Sequence, residues 1–271
     1  MPTLPIDRAQ PLHYTDHGAG RPIVLVHGWA AHGGYFNVLV PHLEDRFRVV
    51  LPDMRGHGRS RMNGERPTLA DMGDDLYALL GTLGRDDAVV VGWSMGTLVM
   101  FDCLRRHGAG RMGGIVIEDM TACILNGPDW HLGVRNNFSH ADSDRIMATM
   151  RLNWASYAAA IAPRLYGRST PPPPDLATWT VNELMDNEPE PLAAIWATLV
   201  DQDYRDLLPT LDLPALIIHG GDSHVYPVET GMAMAAMIPG AHRICYDAAG
   251  HSPHLEEPER FAADLAAFAS R

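Results

Sequence analysis

The 271 residues, with 25 glycines and 21 prolines spread along the chain apart from one proline cluster, suit one α/β domain with an inserted subdomain. A formal net charge of -12 and a pI near 5.5, with no basic stripe, speak against nucleic acid as a partner. Cys103, Cys123 and Cys245 are odd in number and scattered, which excludes a disulfide framework and fits a reducing compartment. No run approaches a membrane span, and the first eight residues show no basic segment leading into an apolar one, so a cytoplasmic protein with no membrane partner is expected.

In chain order, residues 11–16 read as a short edge strand, and Ile23-Val24-Leu25-Val26 as a strand buried on both faces. That run ends in His27-Gly28-Trp29 and a small-residue loop with Gly33 and Gly34. A strand at Phe47 to Leu51 runs into the glycine-broken loop Pro52 to Ser60. Leu69, Met72, Leu76, Leu79 and Leu80 then recur at helical spacing. The next strand leads into Val89-Val90-Val91-Gly92-Trp93-Ser94-Met95-Gly96, followed by a helix to about His107. A further buried strand, Gly113 to Ile117, ends in Glu118-Asp119.

Alternating strands and helices predict a mostly parallel sheet with right-handed crossovers, in which ligands gather at the C-terminal strand ends. Those ends hold His27 to Trp29, Asp53 to Ser60, Ser94 and Asp119. From about Thr121 to Asp206 the alternation stops. Helices near 141–162 and 190–202 predict a helical cap over the strand ends, with Pro171 to Pro174 as a stiff, extended link between cap helices. The sheet resumes at Leu213 to Gly220 and near His242 to Tyr246. A final helix carries Phe261, Leu265 and Phe268 after Gly250-His251-Ser252-Pro253-His254.

Strand, Gly-x-Ser-x-Gly turn and helix together form the nucleophile-elbow pattern. The tight turn lifts the Ser94 hydroxyl clear of the sheet, and glycines at 92 and 96 let neighbouring backbone pass close by. The helix that follows points the Met95 amide at the site, where it can stabilise an oxyanion. A serine hydroxyl is a poor nucleophile without a base, and an imidazole suits that task at neutral pH. Of the 14 histidines, His251 lies on a loop free to turn inward, whereas His219, His224 and His254 default to structural roles. No metal-ligand spacing stands out, and neither metal nor cofactor is expected.

Read in order, His27-Gly28-Trp29, the Pro52 to Ser60 loop, the Gly92 to Gly96 elbow, Leu216 to Gly220, and Gly250-His251 with Leu255-Glu256-Glu257-Pro258 resemble the α/β-hydrolase family from about residue 10 to the C-terminus. The resemblance implies the α/β-hydrolase fold, a mostly parallel central sheet flanked by helices, with a core over 1–120 and 207–271 and a helical cap inserted over 121–206. It also implies Ser94 as nucleophile, His251 as base and an oxyanion hole of the Met95 and Trp29 backbone N–H groups. Many family members carry the acid after the strand placed at Leu213 to Ile218, four residues before a proline. Here Ser223 holds that position and Asp222 lies one residue earlier. Other members place the acid after the preceding strand, which ends here at Asp119, and we favour Asp119 over Asp222.

Asp53 and Arg55 are assigned to holding their loop to the sheet. Trp29, Trp93, Trp130 and Trp154 are candidate pocket residues, with packing the simpler role for Trp93. Trp179, Trp196, Met147 and Met150 add to an apolar cap. These features predict a Ser-His-Asp hydrolase of a carboxylic ester, thioester or lactone of a small, largely apolar molecule. The same groups would serve a hydrolase cleaving a carbon–carbon bond in a diketone. Two rivals are a cofactor-independent dioxygenase cleaving a hydroxylated N-heteroaromatic ring and a receptor-like binding protein.

Overall fold

The computed structural model describes residues 3–5, 11–62 and 66–271, so the N-terminal stretch read for a leader falls largely outside the described residues. The chain begins with β1 (Thr3–Leu4), β2 (Leu12–Gly18) and β3 (Arg21–Val26). A 3-10 turn over Gly33–Leu39 leads into α1 (Val40–Leu43) and β4 (Phe47–Pro52). Next come α2 (Leu69–Thr82), β5 (Ala88–Trp93), α3 (Met95–His107) and β6 (Met112–Glu118). Four helices are inserted before the sheet resumes: α4 (His140–Leu152), α5 (Trp154–Ile161), α6 (Pro174–Met185) and α7 (Pro189–Val200). The chain closes with β7 (Ala215–Gly220), α8 (Val228–Met237), β8 (His242–Tyr246), α9 (Pro253–Glu256) and α10 (Pro258–Ala269).

The strands lie in the order β1-β2-β4-β3-β5-β6-β7-β8. Only the β1–β2 and β2–β4 pairings are antiparallel. The segment expected as the edge strand is thus second in the sheet, because the two-residue β1 lies outside it. So short a strand has no periodicity to read.

Strand alternation sorts the apolar runs onto two faces. Val24, Val26, Val90, Ile115, Ile117 and Ile217 pack against Leu69, Met72, Leu76, Leu79 and Leu80 of α2. Ile23, Leu25, Val89, Val91, Val116 and Ile218 pack against Phe261, Leu265 and Phe268 of α10. Burying each such side chain is worth about 1.5–3 kcal/mol, so continuous Val/Ile runs require helices on both sides, and the functional loops are left to the strand ends.

The cap departs from expectation in two places. The helix expected over 141–162 breaks at Asn153, whose N–H bonds to the Thr149 carbonyl while its side chain accepts from the Ser156 N–H. An Asn that offers the backbone its own side chain ends one helix and starts the next. The proline link extends only to Pro173, since Pro174 is the first residue of α6, where a fixed φ suits a helix start and no N–H is missed. Neither α6 nor α8 was anticipated. No described helix is long and apolar enough to cross a membrane.

Candidate active site

Ser94 sits between β5 and α3 with φ 51° and ψ -120°, a left-handed conformation that costs a side-chain-bearing residue about 1–3 kcal/mol. Neighbouring backbone holds it there: the Ser94 N–H donates to the Glu118 carbonyl at 3.0 Å, and the Thr97 N–H to the Ser94 carbonyl at 2.9 Å. Both flanking glycines are sterically required. A Cβ at Gly92 would lie 2.5 Å from the Thr97 backbone, and one at Gly96 2.0 Å from the Val26 carbonyl oxygen. Although Ser94 occupies the N-cap of α3, its hydroxyl makes no capping bond.

That hydroxyl lies 2.9 Å from Nε2 of His251, whose Nδ1 lies 2.6 Å from Oδ2 of Asp119. The ionised Asp119 can only accept, so Nδ1 carries the proton and the Nε2 lone pair faces Ser94. The His251 carbonyl accepts from the Trp93 indole N–H at 2.7 Å, which fixes the loop.

Asp119 is fully buried and also left-handed, at φ 39°. It accepts from the Gly220 N–H at 3.1 Å and the Ser223 hydroxyl at 2.9 Å, and Nδ1 of His219 lies 3.1 Å from its Oδ1. Burial opposes its charge, yet His219 and the bonds from His251 and Ser223 outweigh burial and hold the carboxyl below its ordinary value. Asp222 turns elsewhere. It accepts from Arg168 Nε at 3.0 Å and the Ser169 N–H at 2.5 Å, tying the chain after α5 to the end of β7.

Trp29 donates its indole N–H to the Leu192 carbonyl at 3.0 Å and meets the rings of Trp154 and Trp196 edge-on at 5.9 and 5.5 Å. Trp93 does not line this cluster: it is 1% exposed, packed among Tyr35, Phe36 and His254 beneath the loop of His251. Trp130 stands apart from it too, donating to the Cys123 carbonyl and lying beneath the Arg205 guanidinium. Both rings satisfy their N–H within the protein core, as buried indoles do. The amide-bearing turns at 29 and 95 are packed together, since a Cβ at Gly28 would lie 3.1 Å from the Trp93 ring and one at Gly96 3.0 Å from the His27 carbonyl oxygen.

Asp53 braces the loops around the site, accepting from the Gly33 N–H at 2.8 Å and the Arg59 N–H at 3.0 Å, while Arg55 is ion-paired with the buried Asp75. His27, of the His27-Gly28-Trp29 turn, has a structural role. Burial lowers its imidazole to about 3, so it stays neutral, accepting from the Met54 N–H at 2.9 Å and donating to the Gly28 carbonyl at 2.8 Å. Glu118, next to Asp119, grips the N–H and the Nδ1 of His254 at 3.0 and 2.7 Å. Among the described residues no group of His, Cys, Asp and Glu could hold a metal ion.

Glu256 closes the site from behind, accepting from the Gly167 N–H at 2.8 Å and the Gly250 N–H at 2.7 Å. Burial outweighs these two donors and pushes its carboxyl up to about 7. A raised value means that the folded state holds this proton more tightly than the unfolded one, so its stabilising contribution is lost as pH rises from about 4.5 towards 7. Glu256→Gln is therefore expected to flatten the decline in stability across that window. Urea unfolding at several pH values checks this, and an unchanged slope counts against it.

The family model described as "Alpha/beta hydrolase family" matches residues 23–264. The pimeloyl-[acyl-carrier protein] methyl ester esterase of Aromatoleum aromaticum is 31% identical over 250 residues, covering 88% of this chain and 93% of its own. A thermophilic esterase from Thermogutta terrifontis superposes with a TM-score of 0.83 at 30% identity, covering 95% of this chain and 92% of that one. An esterase from Exiguobacterium antarcticum reaches a TM-score of 0.90 at 22% identity over 96% of both chains. With its sheet, elbow and matched span all in agreement, the chain belongs to the alpha/beta hydrolase family.

Proposed function

We propose that the protein hydrolyses a carboxylic ester through Ser94, His251 and Asp119. The observation that carries this reading is the hydrogen-bonded chain from Ser94 Oγ through His251 to Asp119, 2.9 and 2.6 Å long, beginning at a serine held in left-handed backbone. His251 takes the proton as Ser94 attacks the carbonyl carbon. The Met95 and Trp29 N–H groups receive the oxyanion, each such donor being worth about 3–4 kcal/mol in the transition state. His251 then protonates the departing alcohol, and water repeats the sequence on the acyl-enzyme. The names of the Aromatoleum and Thermogutta relatives belong to the same reaction class.

The Trp29, Trp154 and Trp196 cluster supports an apolar acyl pocket. Two added methylenes at about 0.8 kcal/mol each favour p-nitrophenyl butyrate over the acetate by up to about 15-fold in kcat/KM. The test is hydrolysis of both esters with and without oxygen, together with a fluorophosphonate that traps an activated serine. One adduct per chain at Ser94, with oxygen-independent turnover, is the expected result. Labelling elsewhere, or turnover that needs oxygen, overturns the reading in favour of ring-cleaving chemistry.

A further inference from the structure

Where the inserted helices meet the end of β7, a cleft of about 340 Å³ is lined by Arg135, Arg145, Arg164, His224, Phe138 and Ile146, among others, with Asp142 as its one carboxylate. The whole chain carries a formal charge of -12, yet three guanidiniums converge here. Charges farther off than about 8–10 Å are screened at physiological salt, so this local excess governs what the cleft attracts.

Arg135 is the most telling of the three. It is half-buried, and its Nε donates to the Ser223 and Tyr226 carbonyls at 3.0 and 3.1 Å. Among the described residues it forms no ion pair with a carboxylate, and its terminal nitrogens have no recorded protein partner. Burial and the nearby Arg168 charge pull its guanidinium below the ordinary value. A partly desolvated cation whose direct bonds are to carbonyls, with Glu229, Asp119 and Asp222 acting only at longer range, is a cost that an incoming anion would offset. Arg164 is exposed and likewise has no recorded carboxylate partner, whereas Arg145 pairs with Asp142.

Tyr226, which follows Val225 of the cleft wall, meets the His251 ring at 5.8 Å. His224 follows Ser223, whose hydroxyl donates to Asp119. The Phe138 ring meets Trp196 at 6.3 Å, and Trp196 meets Trp29 at 5.5 Å. Phe138 of the cleft wall, Trp196 and Trp29 thus form one continuous chain of ring contacts between the cleft and the turn at Trp29.

We propose that this cleft binds an anionic group at the far end of the substrate, so that the protein acts on esters whose acyl chain is apolar in the middle and ends in a carboxylate or phosphate. This rests on the ester-hydrolase reading above. Mono-p-nitrophenyl adipate and p-nitrophenyl hexanoate differ only in the terminal carboxylate, and a terminally phosphorylated hexanoate ester supplies the other anion. Wild-type kcat/KM is expected to favour an anionic ester by roughly tenfold, the worth of one charge-assisted hydrogen bond, mainly through KM. The preference should shrink towards parity in about 0.5 M NaCl. The better of the two anionic esters identifies the anion.

In the Arg145→Gln/Arg164→Gln double variant, which leaves Arg135 in place, the preference should fall by about threefold or more while hexanoate turnover stays at the wild-type rate. Equal wild-type rates on all three esters, or a preference that is unchanged in the double variant, overturns the proposal. Failure to hydrolyse any of the esters would instead count against the hydrolase reading. Calorimetric binding of adipate and of inorganic phosphate then decides the cleft separately: binding to wild type that is weaker in the double variant supports it, and no binding to wild type, or equal binding to both proteins, overturns it.

Discussion

Ser94→Ala and His251→Ala are each expected to lower kcat on p-nitrophenyl butyrate by about 10⁶-fold, because nucleophile and base act as a unit. Asp119→Asn is expected to cost about 10³–10⁴-fold. An amide at 119 can turn its NH₂ towards Nδ1 of His251, now 2.6 Å from the carboxylate. That contact would force the imidazole proton onto Nε2, the atom that faces Ser94. The base is then capped by a hydrogen although every heavy atom stays in place. Asp222→Asn should behave differently, since that carboxylate bonds Arg168 and Ser169 and makes no bond to His251. An exposed pair of this kind is worth about 0–1 kcal/mol, so Asp222→Asn should change Tm slightly and kcat by less than about fivefold. A pH–rate profile on each variant is the measurement. A severe loss in Asp222→Asn with a mild one in Asp119→Asn would move the acid to 222.

Ser94 and His251 could be picked out of the sequence as candidates because the patterns that carry them are local. An elbow needs glycines two residues to either side, and a β-branched run before a Gly-broken turn can be read without a partner strand. The candidate acid was harder to choose, because which aspartate meets His251 depends on pairing between β6 and β7. Ser223 occupies the position where many family members place the acid, and only the fold reveals that its hydroxyl reaches back to Asp119 at 2.9 Å. His219 was set aside as a structural histidine for the same reason: its approach to Asp119 crosses from one strand to its neighbour. Helices α6 and α8 escaped notice because each opens beside a proline that reads as a helix breaker. Four tryptophans, Trp29 and Trp93 in the core and Trp130 and Trp154 in the cap, looked alike as pocket candidates, and backbone carbonyls at 123, 184 and 192 and at His251 decide where their N–H groups point.

Gly96→Ala is expected to damage the enzyme more than helix propensity would suggest. Inside the first turn of α3, alanine should gain about 1 kcal/mol over glycine. The added methyl, however, would sit 2.0 Å from the Val26 carbonyl oxygen and 3.0 Å from that of His27. Both obstacles are backbone of β3 and the turn that follows, and neither can rotate away as a side chain could. Relief requires moving the elbow from β3, and overpacking of this kind costs about 1–3 kcal/mol or more. The same movement separates the Met95 amide from the Trp29 amide, and loss of one oxyanion donor costs about 10²–10³-fold in kcat. Gly81→Ala is the control. Its methyl would meet the Arg111 guanidinium at 2.4 Å, a side chain that can swing out at the cost of its bond to the Tyr77 carbonyl and its stacking on the Tyr77 ring, so kcat should remain near wild type while Tm falls slightly. Thermal unfolding, kcat on p-nitrophenyl butyrate and fluorophosphonate labelling of Ser94 should be read together. A Gly96→Ala protein that is folded and labelled yet slow would tie the close approach of β3 to transition-state stabilisation. One that keeps the wild-type kcat would show that the two amides do not form the hole.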